Sequence, residues 1–89
     1  MTYPIGTTIT SKVHGNSIKT HGEYVHLTIV SFDNYTLTYT LSIKYDNPNA
    51  KENGDLQQLT DIGIDKWIEN YNWFISNKPN ILSDDLFTL

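Results

Sequence analysis

From residue 35 to residue 45 the chain alternates without a break between oily and polar side chains. Tyr35, Leu37, Tyr39, Leu41, Ile43 and Tyr45 fall on one side, and Thr36, Thr38, Thr40, Ser42 and Lys44 on the other. Successive side chains of a strand point to opposite faces, so this spacing predicts an antiparallel strand with one dry and one wet face. Such a strand cannot stand alone. The rest of the chain must supply neighbours for its edges and a layer to cover its apolar side.

The neighbours are legible on both sides. Residues 7–13 (TTITSKV) are rich in β-branched side chains and follow Pro4 and Gly6, and residues 23–32 (EYVHLTIVSF) form a longer, more apolar run. Residues 55–59 offer a further short strand, and the stretches 14–22 and 46–54 have the glycine, asparagine and serine content of loops. A three-residue turn over 32–34 would pair Ile29 with Leu37, Leu27 with Tyr39 and Val25 with Leu41. A two-residue turn would set apolar residues against threonines, so the three-residue turn is expected.

The cover comes from the C-terminal half. Ile64, Trp67, Ile68, Tyr71, Phe74 and Ile75 recur at the spacing of one helix face, which predicts an amphipathic helix over 61–76. Thr60 or Asp61 can cap its start, and Asn77 with Pro79 is expected to end it. The expected architecture is α+β in a single domain, 1–89. A β meander over about 5–59 makes a small antiparallel sheet of three to five strands, followed by one amphipathic C-terminal helix and a tail, 79–89.

Composition narrows the function. The chain has no cysteine, which excludes disulfides and thiolate metal sites and favours the cytoplasm. The N-terminus lacks the pattern of a signal peptide, and no apolar run approaches the length of a membrane span. The net charge of −4 is uneven: residues 1–45 carry three lysines against two acids, and residues 46–89 carry three lysines against eight. With no arginine and an acidic second half, sequence-specific DNA binding is not expected.

Catalytic signatures are missing. No serine lies in a nucleophile elbow, no glycine-rich phosphate loop occurs, and Asp84 and Asp85 are adjacent and therefore diverge. No catalytic residue, metal or cofactor is expected. His14, His21 and His26 share no recognised ligand spacing. With the 14–22 loop they outline at most a shallow small-ligand or nucleotide site.

The stronger expectation is a protein contact. Trp73 lies six residues beyond Trp67, which on a continuous helix turns it away from the buried stripe. There it would stand beside Asp65 and Glu69 as an interface anchor for a partner with a basic surface, or else pack beneath the tail against Leu86 or Phe87. Asp85, Leu86 and Phe87 also resemble the bacterial sliding-clamp-binding peptide, although Ser83 stands where glutamine is expected.

Three segments carry a wider likeness: Ile5-Gly6-Thr7-Thr8-Ile9, Gly22-Glu23-Tyr24-Val25 and Asp33-Asn34-Tyr35. Together, over roughly 3–60, they resemble small SH3-like barrel proteins of phages and mobile elements in low-GC Gram-positive bacteria. The chain departs from them in lacking a clear fifth strand and in adding a substantial helix. The resemblance implies an SH3-like open barrel and a small accessory or inhibitory protein, such as a phage-encoded inhibitor of a host protein complex in the host cytoplasm. That group shares a fold and not an activity, so no site residue is carried over.

Overall fold

The structure, a computed structural model, describes residues 2–79. Strand β1 (Thr8–Lys12) leads through a 3₁₀ turn (Gly15–Ser17) and a one-turn helix α1 (Ile18–His21) into the long strand β2 (Tyr24–Asp33). Strands β3 (Thr38–Tyr45) and β4 (Leu56–Thr60), helix α2 (Asp61–Asn70) and a short strand β5 (Phe74–Asn77) follow. The strands form one antiparallel sheet in the order β4-β3-β2-β1-β5. The α+β class expected from the sequence is therefore observed. The sheet gains a fifth strand from residues expected to be helical.

Alternation sorts the two faces. Ile9 lies opposite Leu27, Leu27 opposite Ile43, and Ile29 opposite Leu41, all on the side that α2 covers. Ile64, fully buried, closes the core formed by Ile9, Leu27, Ile29, Tyr39 and Leu41. Burying an isoleucine side chain of this kind stabilises the fold by roughly 1.5–3 kcal/mol. The opposite face is a mosaic of Thr8, Thr28 and Ser42, then Thr10, His26 and Lys44, in adjoining cross-strand rows.

Tyr39 joins the two layers. Its buried ring packs 4.7 Å from Phe32 and edge-on to Tyr3 at 6.0 Å, measured between centroids. Its hydroxyl donates to Asp61 at the start of α2 (2.6 Å) and accepts the backbone N–H of Tyr3 (2.9 Å). Thr60 caps the helix as expected, its hydroxyl accepting the N–H of Gly63 at 3.1 Å.

The β2–β3 connection differs from the three-residue turn. Ile29 faces Leu41, Leu27 faces Ile43 and Val25 faces Tyr45, each partner four positions beyond the expected one, and residues 34–37 form the loop. The choice of face survives and the register does not. Two local effects account for the shift. The Asp33 carboxylate accepts the N–H groups of Tyr35 (2.8 Å) and Thr36 (3.4 Å), which seats the turn after Asp33, later than the expected 32–34. A bulge between Ile29 and Ser31 then resets the pleat so that Phe32 faces inward against Tyr39. Tyr35, expected in the core, is 99 % exposed, and Leu37 is exposed as well.

The second correction concerns the helix. It stops at Asn70 and does not run to 76. Asn72 adopts a left-handed conformation (φ 63°), which asparagine tolerates better than most residues. The N–H groups of Tyr71 and Trp73 both return to the carbonyl of Trp67, at 3.1 and 3.3 Å. Phase coincidence alone put Phe74 and Ile75 on the helical stripe. In the folded chain they belong to β5, where Ile75 lies opposite Ile9 and Phe74 opposite Thr10.

Leu37 also holds a left-handed backbone (φ 57°) with its side chain in solvent. A Leu37→Gly variant should therefore gain about 0.5–1 kcal/mol of stability, read from the urea unfolding midpoint. A loss would show that the leucine side chain contributes packing in the hairpin loop.

Candidate aromatic contact site

The chain reversal at Asn72 folds Trp73 back over the last turn of α2. The indoles of Trp67 and Trp73 lie 5.1 Å apart with their planes tilted by 35°, an offset arrangement that favours aromatic pairs. Both are half-buried and pack against the core. Tyr71 is 64 % exposed, and the three rings line an open depression of about 400 Å³. The expectation that Trp73 points away from the interior on the far side of a continuous helix is thus corrected. It sits on the same side as Trp67 because the helix has ended before it.

Asp65 and Glu69 are both exposed on α2 but do not surround Trp73. At about 100° per residue, Asp61, Asp65 and Glu69 run along one flank of the helix while Trp67 lies on the other, with Ile64 and Ile68 between them. Two of these acids accept tyrosine hydroxyls, half-buried Asp61 that of Tyr39 and exposed Asp65 that of Tyr3. Burial, reinforced by these hydrogen bonds to carboxylates, raises the pKa of both phenols above the ordinary tyrosine value. Glu69 makes no side-chain hydrogen bond or ion pair among the described residues.

The three histidines do not form one cluster: His14 and His21 line one cleft, and His26 does not. His14 is exposed ahead of the 3₁₀ turn. His21 presents Nε2 to Glu52 at 2.9 Å and stacks edge-on against Tyr45 at 4.6 Å. The Glu52 carboxyl is held below its ordinary range by its own backbone N–H and by His21. No cluster of three metal-ligating side chains occurs among the described residues.

His26 belongs to a line of polar groups for which sequence spacing offered no signal. Its Nε2 lies 2.8 Å from Asp46, its Nδ1 lies 2.8 Å from the hydroxyl of Thr10, and that hydroxyl lies 2.6 Å from the hydroxyl of Ser76. A carboxylate only accepts, so Asp46 fixes the proton on Nε2 and leaves Nδ1 of the neutral ring to accept from Thr10. Thr10 is 2 % exposed, and the line ties β5, β1, β2 and the 46–54 loop together. Only the β1–β2 register, which sets Thr10 opposite His26, could have revealed it.

Asp85, Leu86 and Phe87 of the clamp-like motif lie outside the described residues, as does any contact between them and Trp73. No helix among the described residues is long and apolar enough to cross a membrane. Comparison with protein families, curated proteins and solved structures finds no match to this chain.

Trp73→Ala should lower stability by about 2 kcal/mol, because its ring covers Trp67 and the core edge, whereas Tyr71→Ala should change stability by less than about 0.5 kcal/mol. Thermal melts of the two variants check this. The tyrosine shifts set a second outcome. A group whose pKa is raised on folding contributes stability in full below its unfolded pKa, here about 10, and loses it as the pH rises further toward the folded value. The urea midpoint should therefore fall above about pH 10, and the Tyr3→Phe, Tyr39→Phe double variant should show a smaller fall.

Proposed function

We propose that this chain is a non-catalytic protein-binding module that receives a basic side chain of its partner on the cluster of Trp67, Tyr71 and Trp73. The observation that carries the reading is the surface position of these three rings around one open depression. Exposed aromatic groups of this size are costly to leave in water and are enriched among the anchors of protein interfaces. Their π faces attract ammonium and guanidinium groups, and the net charge of −4 steers a basic surface toward the chain. The edge strand β5 borders the cluster, with Phe74 and Ile75 exposed, and enlarges the apolar ground around it. The likeness to SH3-like proteins of phages and mobile elements supports an accessory or inhibitory role against a host protein complex.

Immobilised wild-type protein, compared with Tyr71→Ala and with Glu69→Lys, tests this. The wild type should retain a discrete basic protein in a salt-sensitive manner, Tyr71→Ala should lose it, and Glu69→Lys should slow its association. Retention unaffected by Tyr71→Ala overturns the reading. Retention that depends on Leu86 and Phe87 alone overturns it in favour of a sliding-clamp-type contact through the tail.

A further inference from the structure

Between α1 and the 46–54 loop lies a cleft of about 590 Å³ that shares no lining residue with the aromatic cluster. We infer that it binds a small phosphate monoester, with Lys19 and Lys51 holding the phosphate. The size is within the usual range for small-molecule sites.

The walls of the cleft are tied together by the fold. The backbone N–H of Asn47 donates to the carbonyl of His21 (3.0 Å), the Asn47 side chain donates to the carbonyl of Thr20 (2.8 Å), and His21 meets Glu52. Gly22 (φ 91°) allows the close approach of the two segments, since a Cβ there would lie 2.8 Å from the Asp46 Cβ. Ala50, buried, belongs to the lining, and Thr20 and Asn49 complete it with polar groups.

The charges lining this concavity favour an anion. The contacts between a basic side chain and a carboxylate among the described residues are His21–Glu52 and His26–Asp46, so neither Lys19 nor Lys51 lies within ion-pair distance of a carboxylate there. Glu52, the one acid in the lining, is already engaged by His21. A second cleft of about 350 Å³ shares His21 and Glu52 and adds Lys12, His14 and Ser17 with the walls of Val25 and Tyr45. Three of the six lysines of an acidic protein thus line adjoining clefts at one end of the sheet. An ammonium group binds phosphate as a point charge, without needing the planar fork of arginine. A long polyanion would be repelled by the acidic remainder of the chain, so a compact ligand fits and a nucleic-acid strand does not. In the adjoining cleft, Val25 and the ring of Tyr45 offer an apolar wall to a small organic body attached to the phosphate.

Heteronuclear NMR titration with inorganic phosphate, glycerol phosphate and adenosine monophosphate, at ionic strength matched with chloride, tests the inference. The backbone amides of 19–21 and 47–52 should move with all three, and more tightly with the two esters. Lys19→Ala and Lys51→Ala should each weaken binding about tenfold, the loss of one charge-assisted contact. Tyr71→Ala should leave binding unchanged, which separates this site from the protein contact. Unmoved amides at 19–21 and 47–52, or an equal weakening by Lys44→Ala on the open face of the sheet, would overturn it.

Discussion

The two layers meet through the side chain of Tyr39. Its ring fills the space between sheet and helix, so it contributes the apolar burial that a small core depends on. Its hydroxyl is not stranded there, because it donates to Asp61 and accepts from the Tyr3 backbone. A phenylalanine would fill the same space but leave the start of α2 without this tie, and an unpaired hydroxyl would cost free energy. The helix is thereby held at the end of the sheet where Thr38 and Thr60 pair, and everything downstream is positioned from that point.

What lies downstream is set by a single backbone reversal. With α2 anchored at Asp61, the left-handed turn at Asn72 sends the chain back along β1, and Trp73 must fold onto Trp67. The same reversal creates β5 and so brings the Ser76 hydroxyl to the head of the line through Thr10 and His26 to Asp46. An aromatic surface cluster on one side of the sheet and a polar tie on the other are consequences of one helix stop.

Charge is distributed with a similar economy. Part of the acidic face of α2 is engaged by tyrosine hydroxyls, at half-buried Asp61 and at exposed Asp65, while Glu69 faces solvent. Among the described residues, the lysines of α1 and the 46–54 loop meet no carboxylate within ion-pair distance.

The amino-acid sequence by itself determined which faces are dry. The alternation through Tyr39, Leu41 and Ile43, the stripe of Ile64, Trp67 and Ile68 and a cap at Thr60 or Asp61 are local patterns, and each dictates its element without reference to the rest. Register, helix length and the site were decided only by the tertiary structure. The Asp33 turn and the bulge after Ile29 moved the hairpin pairing by four residues while preserving its face, because period-two alternation is indifferent to even shifts. Helical periodicity continued through Phe74 and Ile75 by coincidence of phase, and only the pairing of those residues with β1 revealed a strand. Surfaces assembled from α1, the 46–54 loop and the chain after Asn72 have no spacing to read, because their members meet in space and not along the chain.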